Sequence, residues 1–302
     1  MKVLLQSVPR YDRTELPQVT KHLPCNPSIA FHGGRLLCAY RGCNYDLREG
    51  HFQFFYGSGP SRLPDSQSYI AEIGSDLACK SVDFIEDRHL RATPEFADGV
   101  EDVRLVPFRG RLLALASGVN FQPVLKQKRL IGDSKMILAE LKDRKLHLIR
   151  SFDSRNPVEK NWMPVLGREQ LDLVYSVSPF LLIEDVTGAG RQFGLRRIDQ
   201  PEGLLPARGG SSLVPFRGGY MCIVHHMERR NALKYYSHQI LLFDAQLKLT
   251  RASEIFKIEG ERIEFGSGLL VEGTTIYLAY GLMDYRAVLL RLSEEDLFSA
   301  VF

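Results

Sequence analysis

Along the chain, apolar residues fall in short runs with an alternating apolar and polar pattern, and turn-forming residues interrupt them at close intervals. One unit recurs: a short apolar run, a tight glycine-containing turn, a second apolar run. It reads IAFHGGRLLCAYRG from Ile29, LVPFRGRLLALASG from Leu105, VLGREQLDLVYSV from Val165, LVPFRGGYMCIVHH from Leu213 and LLVEGTTIYLAYGL from Leu269. Each copy predicts a β-hairpin, because alternating runs on either side of a Gly turn can pair and bury one shared face. The copies start 48 to 76 residues apart, and a four-stranded propeller blade takes roughly 40–50 residues before insertions. KMILAELKDRKLHLIRSF (Lys135 to Phe152) and SHQILLFDAQLKLTRASEIF (Ser237 to Phe256) alternate as further, outer hairpins. The one helix signal is the tail SEEDLFSAVF, with Ser293 as cap ahead of Glu294 and Glu295. The expectation is all-β: a five-bladed β-propeller with a short C-terminal helix, built as a single domain over residues 1–302. The absence of regular amphipathic segments between strands argues against an α/β barrel, and a two-sheet sandwich is the remaining structural alternative.

Composition narrows the partners. With 44% hydrophobic and 25% charged residues the chain can bury a large core. The net charge is +3 without a polybasic block, so no nucleic-acid partner is expected. No stretch approaches the roughly 20 apolar residues that span a bilayer, and the apolar run in MKVLLQSVPRYD is too short for a signal-peptide core. No membrane partner and a cytoplasmic location are therefore expected. The five cysteines contain no Cys-x-x-Cys pair, which points to buried thiols rather than a disulfide framework or zinc knuckle.

Candidate chemistry sits at one phase of the repeat. Each hairpin follows a polar or Gly-rich cluster: Asn26-Pro27, Glu101-Asp102-Val103-Arg104, Lys160-Asn161-Trp162, Arg208-Gly209-Gly210-Ser211 and Glu264-Phe265-Gly266-Ser267-Gly268. Blades repeat radially, so equivalent positions are expected to ring one mouth of the central channel. The second strands end in another equivalent set: Tyr40-Arg41, Ser117, Tyr175-Ser176 and His225-His226. A pocket rich in charge, amide and aromatic groups suits a polar, hydroxyl-bearing ligand. Taken alone, Glu101 and Arg104 read as a surface ion pair, Lys160-Asn161 as a turn and Arg208-Gly209-Gly210 as a loop. Trp162 reads either as core or as a platform for a sugar face. His225, His226 and His238 have no carboxylate or cysteine at supporting spacing, so no metal is expected. The shared phase is what separates these residues from surface polarity.

At these residues the sequence resembles glycoside hydrolase family 130. Gly99-Val100-Glu101-Asp102-Val103-Arg104 is similar to that family's Gly-x-Glu-Asp-Pro-Arg signature. Asn26-Pro27 and Tyr40-Arg41 resemble its first blade, Lys160-Asn161 its third, and Arg208-Gly209-Gly210 with Gly219-Tyr220 and Val224-His225 its fourth. The resemblance runs from about Asn26 to Tyr285 and extends to the related β-1,2-mannosyltransferases and phosphorylases of protozoan parasites. It implies a five-bladed propeller that makes or cleaves β-mannosidic bonds with inversion. Val103 replaces the usual Pro, Arg208 a Lys, His226 a Gly, and Tyr175-Ser176 a His-Arg pair whose Arg helps hold phosphate.

By this resemblance Asp102 is the general acid, acting through a substrate hydroxyl, and Arg104, Lys160, Arg208 and His225 bind phosphate or another anion. Asn26, Arg41, Asn161, Tyr236, Glu264 and Asp284 are candidate sugar contacts, and Glu264 is also, from position alone, the candidate base of a hydrolase. No resident cofactor is expected; inorganic phosphate or a sugar nucleotide is the co-substrate, with a manno-oligosaccharide or other glycan as partner. Three readings follow: a β-mannoside phosphorylase or mannosyltransferase, which is favoured; an inverting hydrolase on the same scaffold; and a non-catalytic propeller that binds glycans or proteins.

Overall fold

A computed structural model describes residues 1–46, 53–54, 64–93, 96–124, 129–188, 194–201, 204–231 and 233–302. The chain is all-β, with a β-propeller arrangement in which four sheets are four-stranded blades. Sheet I runs in chain order Leu23–His32, Arg35–Cys43, Ser66–Ile73, Cys79–Ile85. Sheet II follows as Val100–Phe108, Arg111–Val124, Arg129–Lys142, Lys145–Ser151, and sheet III as Met163–Val165, Asp172–Ser176, Leu181–Ile183, Leu195–Arg197. Sheet V is ordered Glu264–Glu272, Thr275–Leu282, Arg286–Ser293 and then Asp12–Glu15, so a strand from the start of the chain completes it.

Sheet IV is larger, with seven strands. Its long central pair is Gly219–Arg230 and Leu233–Phe243; two short strands, Arg208–Gly209 and Val214–Phe216, both pair with the first. Leu249–Ala252 and Phe256–Lys257 both pair with the second, and Lys2–Val3 adds a parallel strand beside Phe256–Lys257. A separate two-stranded ribbon joins Tyr45–Asp46 to Gln53–Phe54.

The five hairpins expected from the repeats are the first two strand positions of the five sheets. The repeated Phe-Arg-Gly string explains two of the turns: Arg109 and Gly110 have φ of 48° and 74°, and Arg217 and Gly218 have 47° and 79°. Two consecutive positive φ values are what a two-residue turn needs to match the twist of its strands. The C-terminal helix is Glu294–Val301; Ser293 Oγ accepts from Asp296 N at 3.0 Å, and three acidic residues fill its first turn. Two other helices, Leu4–Ser7 and Arg88–Arg91, are single turns with no sequence signal. Among the described residues no helix is long and apolar enough to cross a membrane.

The chain divides into two compact units. One comprises Met1–Thr14, Asn161–Tyr280 and Leu289–Phe302; the other comprises Glu15–Lys160 and Gly281–Val288. In the second, Ala39, Leu105, Ala114, Ile137 and Leu146 belong to one buried cluster that joins sheets I and II. Polar bonds tie the same two sheets: Leu105 N donates to Ser28 Oγ at 2.9 Å, and Ser68 Oγ to the Val100 carbonyl at 3.2 Å. In the first, Met163, Val174, Leu182, Cys222, Leu241 and Phe243 build the equivalent core of sheets III and IV.

Candidate active site

The first strands of sheets I and II share one irregularity. Cys25 pairs with Arg41 and Ser28 with Ala39, so the first strand holds one residue more than its neighbour over this stretch. In sheet II, Glu101 pairs with Ser117 and Arg104 with Leu115, with the same single-residue excess. Each is a β-bulge, a device that breaks the alternation of a strand and re-aims a side chain. Asn26 and Asp102 follow Cys25 and Glu101 in these bulges and take left-handed backbone, with φ of 47° and 54°. Asn161, just ahead of Met163–Val165, does the same at 64°. Asn and Asp are the non-glycine residues that enter this region most readily. The polar clusters recurring at one phase of the repeat are thus, in three sheets, a recurring turn of the backbone.

The two matched bulges meet. Asn26 Nδ2 donates to Asp102 Oδ1 at 2.9 Å. Arg41 Nε lies 3.5 Å from the same oxygen and donates to Cys25 Sγ at 3.4 Å. The hub is Glu101: Arg41 Nη1 reaches its Oε2 at 2.8 Å, Lys160 Nζ donates to Oε2 at 2.9 Å, and Ser66 Oγ donates to Oε1 at 3.0 Å. Glu101 is sealed at 1% exposure, whereas the Asp102 side chain keeps 14%, so of the two carboxylates Asp102 is the one that solvent reaches.

The charges of this group are strongly coupled. Burial pushes the Glu101 carboxyl up, but Arg41 and Lys160 together outweigh it and take it down to about 2. Burial lowers Arg104 to about 10, with the Asp102 charge pulling the other way. Lys160 is lowered by burial yet ends above its usual value because Glu101 and Asp102 act on it. Behind Arg41, the buried thiols of Cys25 and Cys43 lie 3.2 Å apart, and burial raises that of Cys43. Asp284 is half-buried with φ of 57°, and its charge acts on Cys43 and on Tyr45.

Of the expected site residues, Asn26, Arg41, Asp102, Arg104, Lys160 and Asp284 fall in one compact unit, and Arg208, His225, Tyr236, Asn161 and Glu264 in the other. In the latter, Arg208 is exposed and pairs in register with His225, whose ring lies 5.2 Å from Tyr236 and 5.0 Å from Phe265.

Glu264 departs from expectation. It is fully buried, and its carboxylate accepts from the amides of Ile258 at 2.6 Å, Glu259 at 2.8 Å, Gly260 at 2.7 Å and Glu261 at 2.8 Å. Three amides converge on Oε1 and one on Oε2, so this buried carboxylate holds the loop, a structural role the sequence did not suggest. Beside it, His238 Nε2 accepts from Gly266 N at 3.1 Å, and burial drives this imidazole down to about 3, leaving it neutral. Trp162 is core rather than platform: it is buried, with its ring 5.2 Å from Tyr175. Among the described residues no three His, Cys, Asp or Glu side chains are placed to share a metal ion.

Glu101 is the residue that sequence reasoning missed. It does not form a surface pair with Arg104; its partners come from three other segments. The available signal was two adjacent carboxylates inside an otherwise apolar strand, VEDVRLV, where a buried charge requires partners.

No protein-family model and no curated protein matches the chain. Solved structures do. The β-1,2-mannobiose phosphorylase of Listeria innocua aligns at TM-score 0.62 and 13% identity over 94% of this chain and 95% of its own. A glycosyl hydrolase from Bacteroides ovatus aligns at TM-score 0.63 and 12% identity over 91% of this chain and 85% of its own. MPT-1, a GDP-Man-dependent mannosyltransferase from Leishmania mexicana, aligns at TM-score 0.59 and 13% identity over 93% of this chain and 89% of its own. The fold is the glycoside hydrolase family 130-like fold that the motifs implied.

Proposed function

We propose that this chain is a carbohydrate-active enzyme that makes or cleaves β-mannosidic bonds with inversion, as a phosphorylase or mannosyltransferase, on a five-bladed propeller. Sheet IV counts as the fourth blade: Arg208–Gly209 and Val214–Phe216 share the first-strand place, and Leu249–Ala252 and Phe256–Lys257 share the last.

One observation carries the functional reading. Two carboxylates adjacent in sequence are placed in opposite circumstances: Glu101 is buried and neutralised by Arg41 and Lys160, and Asp102 is turned out by a bulge and remains accessible. The first organises charge, and the second is the one within reach of a ligand. An inverting reaction needs an acid to protonate the departing glycosidic oxygen while a nucleophile attacks the opposite sugar face. Asp102 supplies that proton, directly or through a substrate hydroxyl, and takes it back in the reverse direction. Arg41, Arg104 and Lys160 gather beside Glu101 and Asp102 in one compact unit, and a phosphate oxygen, inorganic or carried by a sugar nucleotide, is a fitting acceptor for such donors. In the other compact unit Arg208 is exposed and offers a guanidinium to a polar ligand, whereas His225 is buried against Tyr236 and Phe265. The hydrolase reading loses support with Glu264, its candidate base, because the loop amides occupy that carboxylate.

The test is a panel of β-1,2-, β-1,3- and β-1,4-linked manno-oligosaccharides, each incubated with and without phosphate, and with GDP-mannose as donor. Phosphate-dependent release of mannose 1-phosphate, or transfer from GDP-mannose, is expected. Turnover in phosphate-free buffer without nucleotide supports the hydrolase instead, and no turnover of any substrate rejects the enzyme reading.

A further inference from the structure

The geometry points to Asn26 as a positioning residue for Asp102, with Gly281 behind it: together they reserve Oδ1 of Asp102 as an acceptor and leave Oδ2 to carry the proton that is delivered to the substrate. This assignment rests on the proposed role of Asp102 as acid and concerns residues that the reaction itself does not consume.

Asp102 Oδ1 receives both nearby donors, Asn26 Nδ2 at 2.9 Å and Arg41 Nε at 3.5 Å. A carboxylate oxygen facing an N–H and a guanidinium is a poor place for a proton, so the acidic hydrogen resides on the other oxygen. The orientation of the Asn26 amide follows from its neighbour: Oδ1 of Asp102, which also faces Arg41 Nε, is an acceptor, and only the NH₂ end of the amide can bond to it. Its Oδ1 is buried and has no hydrogen-bond partner. The donor contact to Asp102 is therefore the polar contact that holds this amide.

Packing supplies the rest. A Cβ placed on Gly281 would lie 2.5 Å from Asn26 Oδ1 and 2.8 Å from Asn26 N. Gly281 thus leaves the space in which the amide sits and closes it from behind. The charged groups that face this pair are Arg41, Arg104 and Lys160, together with Glu101 and, beyond Cys43 and Tyr45, Asp284. Arg41 and Lys160 hold the Glu101 carboxyl well below its usual range, burial lowers Arg104 only to about 10, and Arg41 and Lys160 are raised above their usual values. These four hold their charge at neutral pH, so they do not compete with Asn26 as a switch.

The experiment uses full-length Asn26→Gly, Asn26→Asp and Gly281→Ala. Glycine keeps the left-handed backbone at position 26 without strain, and aspartate tolerates it, so both remain foldable where alanine would be strained. With a manno-oligosaccharide substrate, Asn26→Gly is expected to lower kcat by about 10- to 100-fold, the scale of one hydrogen bond to a charged group, with KM held within about twofold. Asn26→Asp sets acceptor against acceptor and lowers kcat at least as far. Formamide, which restores an N–H donor, recovers part of kcat in Asn26→Gly and none in Asp102→Asn. Gly281→Ala, which touches neither Asp102 nor substrate, shows the same kcat loss because it displaces the amide. A raised KM at unchanged kcat would make Asn26 a sugar contact and overturn the assignment, as would full activity of Asn26→Asp. A readout independent of turnover separates this from failure of the proposed function: the ¹³Cγ resonance of Asp102, identified by its loss in Asp102→Asn, shifts in Asn26→Gly and Gly281→Ala if the contact exists and stays in place if it does not.

Discussion

Replacing Glu101 by Gln removes the charge on which the buried half of the site depends, at almost no change in shape. In the native protein its carboxylate bonds to Arg41 at 2.8 Å, Lys160 at 2.9 Å and Ser66 at 3.0 Å, with 1% of the side chain exposed. Two routes give the cost. Removing one partner of a buried ionic group costs about 3–5 kcal/mol, because the opposite charge is left uncompensated. Independently, a carboxyl lowered from 4.5 to about 2 contributes about 3 kcal/mol when ionised, at about 1.4 kcal/mol per tenfold change in its dissociation constant. Because the folded-state value is depressed, the contribution is fully present above the unfolded value of 4.5 and is lost as pH falls through about 2. The difference between wild type and Glu101→Gln is thus expected to be about 3 kcal/mol at pH 7 and about 2 kcal/mol near pH 3.5. Urea denaturation at both pH values, with the slope checked for equality, measures it. Equal stability within about 0.5 kcal/mol at pH 7, or a cost that does not shrink in acid, would refute the assignment of Glu101 as the ionised hub.

On the proposed reading, Asp102→Asn lowers turnover about 10²- to 10⁴-fold in protein that remains folded, as circular dichroism would show; activity within a few-fold of wild type rejects it as the acid. Glu264→Gln should instead cost about 2–3 kcal/mol, since an amide cannot accept from all four loop N–H groups, and the folded fraction should retain kcat within about tenfold. A stable variant with a 10²-fold activity loss would return Glu264 to the role of base. Iodoacetamide should label Cys79 first in the native protein and reach Cys25, Cys38, Cys43 and Cys222 only after denaturation, as peptide mass spectrometry would show. Rapid native labelling of Cys43 would contradict its burial.

The hairpins and the C-terminal helix were legible in the sequence because their causes are local. Alternation fixes which face of a strand is buried, paired left-handed residues fix a tight turn, and Ser293 with the acids after it starts a helix. The backbone at the candidate residues was legible in part for the same reason: Asn26 and Asp102, in their bulges, and Asn161, ahead of its strand, are residue types that accept the left-handed conformation. What those bulges bring together was not local. Glu101 meets Ser66, Arg41 and Lys160 from 35, 60 and 59 residues away, and the choice among the available cations is made by which side chains the two bulged strands present to each other. Sheet IV shows the same division on a larger scale, since Lys2–Val3 adds to Phe256–Lys257 across nearly the whole chain. Glu264 marks the limit in the opposite direction. Its partners, residues 258 to 261, are close in sequence, yet four amides converge on one carboxylate only once packing has folded the loop around it. Periodicity and turn chemistry set the strands, but the pairing of buried charges depends on distances that exist only when the sheets are packed, and there desolvation makes each unpaired charge too costly to leave.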